Sequence, residues 1–177
     1  MMVRVGWALA GCLLVLAAIA GCAGGASGSA GDAAGGTSSF PPPPADPDSP
    51  AGVAVEALRR IYSWQPAAEQ PGAAMQRAKP LLGPHLSAVL DAGTGAVGLP
   101  KTDARWAEWA AAQARVDAVA FASAEQAPDE TADRRQLKIG VAQTVIYPSG
   151  RSETLPSAVI VATVVRTVQG WRLDDFG

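Results

Sequence analysis

Three features of this sequence predict an α+β fold, with N-terminal helices packed on a C-terminal antiparallel sheet of about four strands. Apolar residues recur at helical spacing through residues 52–110. They change to alternation after about residue 116. The two patterns are not interleaved, which separates a helices-then-sheet layer from the repeating strand–helix units of a parallel sheet. All three features belong to residues 51–177, a single domain, because residues 1–50 have an unlike composition.

The helical half can be taken in order. Between Gly52 and Trp64, the residues Ala54, Val55, Leu58, Ile61 and Tyr62 share one helix face. Gln65-Pro66 ends that run, since proline lacks a backbone donor and clashes with the preceding turn. A second helix is predicted over about Gly72 to Lys79, with Ala74, Met75 and Ala78 inward and Pro80 as its stop. Gly83-Pro84 opens a short helix through Leu90, proline being pre-set for a first helical turn. Residues 92–100 hold three Gly and one Pro and predict a loop. Thr102 or Asp103 then caps a further helix that carries Trp106, Trp109 and Ala110 on one side.

The second half has a period of two. Val116 to Ala122 is the first predicted strand, and Pro128 to Asp133 is a solvated acidic loop. Leu137, Ile139, Val141, Val145 and Tyr147 alternate with mostly polar partners, the mark of a strand with one buried face. Pro148-Ser149-Gly150-Arg151 is a turn, and Ala158 to Val168 is strongly β-branched. Gln169-Gly170 connects it to a last strand on which Trp171 and Leu173 face the core, with Asp174-Asp175 read as a solvated chain end.

Residues 1–50 read as an address followed by a leash. After Arg4 no charged residue occurs until Asp32, and Val5 to Ile19 is an apolar run of signal-peptide length, short for a membrane span of roughly 20 residues. It closes on Ile19-Ala20-Gly21-Cys22, while Leu9-Ala10-Gly11-Cys12 offers a second match to the same pattern. Only Val5 to Leu9 precede the second match, too few for an apolar signal core of about 7–15 residues, so Cys22 is assigned. Residues 23–50 contain 6 Gly, 6 Ala, 5 Ser and 6 Pro with one large apolar residue, Phe40. Such a segment cannot offset its ordering entropy by burial, and 28 such residues span roughly 30 Å on average. The predicted organisation is a signal over 1–21, a lipidated cysteine and tether over 22–50, and a domain over 51–177.

The Ile19–Cys22 pattern resembles the bacterial lipobox, in which a branched aliphatic and two small residues precede a lipid-accepting cysteine. That resemblance implies cleavage before Cys22, a thioether-linked diacylglycerol on it, and a domain held at the extracytoplasmic face of the cell membrane. Two or three acyl chains make such attachment effectively permanent, whereas one is marginal. The order of helices and strands, closing on Gly170-Trp171-Arg172-Leu173-Asp174-Asp175-Phe176, resembles the cystatin-like cone folds typified by nuclear transport factor two. Actinobacterial envelope proteins of this kind often end on a similar Gly-Trp pattern, among them proteins of mammalian-cell-entry loci and conjugation channels. The resemblance therefore implies partners among envelope transport or secretion proteins. Several of those relatives keep a transmembrane helix where this chain has a lipobox and tether.

Composition narrows the chemistry. The chain has two Cys, both in its first 22 residues, and one His, which leaves little for metal binding and no thiol in the domain. No cofactor is expected. Of 14 basic and 16 acidic residues, Arg4, Asp32, Asp46 and Asp48 lie before residue 51, so the domain is neutral. Its basic pairs, such as Arg59–Arg60 and Arg134–Arg135, are scattered and read as solvated surface, which argues against nucleic acid as a partner. His85, just after Gly83-Pro84, is read as a surface residue. Its alternative role is a general base with a carboxylate, although Asp91 lies six residues on and off its helix face. Tyr62, Trp64, Trp106 and Trp109 either pack between helices and sheet or line a pocket for a small apolar ligand. The expected function is a lipid-anchored binding or assembly module rather than an enzyme, with a ligand carrier and a His85 enzyme as the alternatives.

Overall fold

The computed structural model describes residues 45–93, 103–124 and 131–177, and it is an α+β structure with helices on the N-terminal side of a curled antiparallel sheet. The predicted signal, Cys22 and the tether as far as residue 44 lie outside the described residues, as do Thr102 and most of the loop at 92–100. Among the described residues no helix is long and apolar enough to cross a membrane.

Helix α1 (Pro50–Tyr62) begins and ends two residues before its predicted limits. Ser49 caps its start, accepting a hydrogen bond from Gly52 N at 3.0 Å, and Pro50 fills the first turn, where no backbone donor is needed. Asp46 accepts from both the backbone and the hydroxyl of Ser49, which folds the last tether residues onto the helix. A Cβ on Gly52 would stand 1.9 Å from the Asp46 carbonyl oxygen, so this close approach requires glycine. Asp46 and Ser49, upstream of the predicted boundary at residue 51, thus belong to the capped start of α1. The helix ends at Tyr62 because Trp64 is drawn into a two-bond bridge with Val116, at 2.8 Å each way. Its buried stripe is Val53, Ala54, Ala57, Leu58 and Ile61, rotated slightly from the predicted face so that Val55 and Tyr62 are only half-buried.

Helix α2 (Ala73–Ala78) tightens into a 3-10 turn at Lys79–Leu81 around Pro80, and α3 spans Pro84–Asp91. Helix α4 (Trp106–Ala111) is not capped by Asp103 as the spacing suggests. Asp103 instead accepts from the Arg105 backbone one turn earlier, and Arg105 occupies the cap position. Gln113, at φ 52°, lets the chain leave α4 and enter the sheet.

The sheet has strand order β1-β2-β4-β5, built from Arg115–Ala122, Arg134–Ile146, Ala158–Thr167 and Gly170–Phe176. A fifth strand, β3 (Ser152–Thr154), pairs with β2 beyond the Pro148–Arg151 turn. Three residues are too few to show alternation, which is why the sequence predicts only about four strands. The 13-residue β2 is shared by two apolar cores. Ile139 and Val141 join α1, α2, α3 and the inward residues of β4 and β5 in the first core; Val145 and Tyr147 join Trp64 and Trp109 in the second.

The closing strand does more than the pattern suggests. Thr163 pairs with Asp175 and Val164 with Leu173, leaving Asp174 as an extra residue in a β-bulge. The bulge resets the alternation, so Trp171, Leu173 and Phe176 are all buried. It also aims Asp174 at the start of α3, where Oδ1 accepts from His85 N at 2.8 Å. Asp174 is thus a cap supplied from β5 to a helix whose own cap residue, Gly83, has no side chain, and not a solvated chain end. Gly83 donates to the Leu173 carbonyl at 2.6 Å, and a Cβ on it would lie 2.4 Å from Asp174 Oδ1. Replacing Asp174 with Ala should lower stability by about 1 kcal/mol, read as a fall in the urea midpoint at constant slope. Gly83→Ala should cost more than Asp174→Ala, because it displaces both the cap and the Leu173 bond.

Candidate functional site

Three surfaces could carry function, and each is assembled by the fold from separated parts of the chain. The first is the aromatic cluster. Trp64 is its hub, with ring centroids 6.5 Å from Tyr62, 5.8 Å from Trp106 and 6.3 Å from Trp109. These separations are those of packed aromatic pairs. The four residues named from the sequence therefore do come together, with their rings against one another. Trp109 is fully buried and Trp64 nearly so, while Tyr62 and Trp106 are half-buried at the margin. Burial pushes the Tyr62 phenol above its ordinary range. Among the described residues, Trp109 Nε1 is the buried side-chain nitrogen left without a hydrogen-bond acceptor.

Charged side chains clamp this cluster from outside. Arg105, at the start of α4, bonds to Glu108 one turn on and to Glu153 of β3, and its guanidinium lies 5.3 Å from the Trp109 ring. Tyr147 donates to the same Glu153 at 3.3 Å, and Arg151 stacks 3.6 Å over the Tyr147 ring. Bonding to Arg105 holds the Glu153 and Glu108 carboxyls below the usual carboxylate range, and these carboxylates keep Arg105 charged.

The second surface is a cleft of about 430 Å3 at the C-terminal end of α1. Arg59, Arg60, Arg77 and Asp117 line it together with Trp64 and Val116. Glu56 accepts from Arg59 at two 2.8 Å contacts and from Arg60 Nε at 2.7 Å, and Arg59 chiefly holds its carboxyl below the usual range. Arg77 reaches across from α2 to Glu69 and to the backbone oxygen of Ser63, and burial lowers its pKa from the ordinary guanidinium value. The arginine pair read as solvated surface is thus one wall of a cleft. The Glu56-Arg59-Arg60 spacing, i to i+3 and i+4, was the legible signal; the contribution of Arg77 from α2 was not.

The third surface is the outer face of the sheet. Phe121 lies opposite Gly140, which lies opposite Val159, so the three share one cross-strand row. The Phe121 ring covers Gly140 so closely that a Cβ there would be 2.3 Å from its Cζ. Val119 (64% exposed), Phe121 (48%), Val159 (72%) and Val161 (44%) give this face a contiguous apolar patch across β1, β2 and β4. The sheet edges are partly occupied: Trp64 and Ser63 bond to β1, and Leu82–Gly83 lies along β5.

No family model, curated protein or solved structure matches this chain. The sites therefore stand on geometry alone. His85 is exposed in the first turn of α3, tied to Asp174 through its backbone, and it is not among the residues that line the cleft. Cys22 lies outside the described residues. Among the described residues no group of three His, Cys, Asp or Glu side chains is placed to share a metal ion.

Trp109→Ala should destabilise the domain by about 3–5 kcal/mol, the range for emptying a buried aromatic site, measured by chemical denaturation. Acid should act through the carboxylates. Glu56, Glu108 and Glu153 have folded pKa values below their ordinary 4.5, so their contribution is complete above about pH 5 and is lost as pH falls through the lower folded values. The urea midpoint should therefore be flat above about pH 5 and fall as the pH is lowered beneath it, and Arg105→Gln should reduce the size of that fall.

Proposed function

We propose that the protein is a lipid-anchored module at the extracytoplasmic face of a bacterial cell membrane, acting by binding or assembly rather than by catalysis. The anchor is the diacylglycerol on Cys22 that the Ile19–Cys22 sequence implies, and the Gly/Pro/Ser-rich segment behind it is the leash. The single observation that supports assembly most strongly is the apolar outer face of the sheet. A row of Phe121, Gly140 and Val159, flanked by Val119 and Val161, has no partner within the described residues. Its occupant is an apolar surface on an envelope protein. Charges of both signs border the patch: Arg115 and Asp117 lie on the same face as Val119, and Lys138 and Asp175 on that of Val161, a mixed rim rather than the basic cluster that meets anionic lipid.

The assembly reading is preferred over a carrier of apolar ligands because Tyr62, Trp64, Trp106 and Trp109 pack on one another. It is preferred over a His85 enzyme because His85 is exposed, with its backbone serving as the bonded group. The resemblance of the element order to cystatin-like cones supports an envelope transport or secretion partner.

Two experiments test the reading in the native host. Cys22→Ala should release the protein from the membrane fraction and remove the lipid from its mature mass; unchanged attachment would overturn the anchor. A photo-cross-linking residue at Val159 should capture envelope protein, while one at Val168, exposed at the tip of the β4–β5 hairpin, should not. Identical capture patterns from the two positions would remove the sheet face as the docking surface.

A further inference from the structure

The cleft beside α1 is used by neither the anchor nor the sheet face, and its chemistry is specific enough to name a ligand class. Its volume, about 430 Å3, is in the range of small-molecule sites. One wall is polar and one is apolar. On the polar wall two guanidiniums share a single carboxylate: Glu56 takes the Nε and one terminal nitrogen of Arg59, but only the Nε of Arg60. The pair therefore keeps one positive charge in excess, and the terminal nitrogens of Arg60 remain to donate. Arg77 is spent differently. Its donors go to Glu69 and to the carbonyls of Ser63 and Arg60, so it shapes the cleft. Asp117 is answered by Arg115 at 3.1 Å. The apolar wall is Trp64 and Val116, and Trp64 has already committed its indole N–H to the Ile61 carbonyl at 2.9 Å.

A helix C-terminus ordinarily repels anions, because its last carbonyls point outward unpaired. Here all four are bonded. Ser63 donates to Arg59 O, Arg77 to Arg60 O, Trp64 to Ile61 O and Gln143 to Tyr62 O. The end of α1 thus presents guanidinium where it would otherwise present oxygen.

We propose that this cleft binds a small organic oxyanion, a carboxylate or phosphate on a planar apolar body, with Arg60 donating to the oxyanion and the body resting against Trp64. Guanidinium is suited to this, since its planar fork matches both oxyanions and loses little freedom on binding. The site needs no membrane and no protein partner, so its failure and the failure of the anchoring proposal are separately visible.

The test is calorimetric titration of the full chain with phenyl phosphate and benzoate, with benzyl alcohol as the neutral counterpart. One saturable site is expected for the anions, weakened by added salt, and none for the alcohol. Arg60→Gln should weaken binding by about tenfold or more, the loss expected for a charge-assisted bond. It should leave thermal unfolding nearly unchanged, because a surface ion pair contributes little. Glu56→Gln, which releases both guanidiniums from their competitor, should tighten binding, an outcome that a merely structural arginine would not produce. Arg166→Gln on β4 should have no effect. The proposal is overturned if no anion saturates by about 10 mM, if Arg60→Gln binds as well as the parent, or if Glu56→Gln weakens binding.

Discussion

A helix that ends inside a domain must find donors for its last four carbonyls, and the end of α1 organises much of this molecule through that requirement. Each donor comes from a different place. Ser63 is the next residue, Trp64 bends back from the β1 edge, Arg77 crosses from α2, and Gln143 reaches up from the middle of β2. Satisfying them fixes where α2 lies, where the first residues after α1 meet the sheet, and where β2 passes. Gln143 sits between Val141 of one core and Val145 of the other. The boundary between the two cores is therefore a polar bond, and not a gap in the apolar pattern.

The same constraint explains what could be read from the sequence and what could not. The stripe of α1, the alternation of β2 and the β-branched run of β4 are local features, so their existence and order were legible. The shortest strand was not, since β3 has only three residues, and the expected helix α4 lost its predicted cap because Asp103 bonds to the Arg105 backbone ahead of the helix. Residues whose role is set by a distant partner were also opaque. Arg59 and Arg60 read as surface until Arg77, on another helix, completes a cleft with them. Asp174 read as a solvated end until the bulge turned it toward α3. The aromatic residues form an intermediate case. Their proximity was legible from composition and spacing, but that Trp64 stands at the centre of the group depends on its bridge to Val116.

The two faces of the sheet divide the work. Its inner face carries both cores, so its residues are constrained by volume. On its outer face the Phe121 ring packs close over Gly140, where no side chain competes for the space, and still remains half-exposed. With Trp64 and Ser63 on one edge and Leu82–Gly83 on the other, strand addition is obstructed there. A partner meeting this protein through the sheet would meet side chains rather than an open backbone ladder.

The cap that Asp174 supplies to α3 also has a consequence in time. The helices are made first, yet α3 takes its cap from the closing strand, and α1 packs against that strand as well. During synthesis the helical half emerges with its apolar stripe uncovered and the start of α3 uncapped until the closing strand has followed. Contacts this far apart in sequence make for slow, late closure. A ribosome-bound chain arrested before Gly170 should thus remain a substrate for holding chaperones, and the domain should pass from unprotected to protected in one step as its closing strand is released.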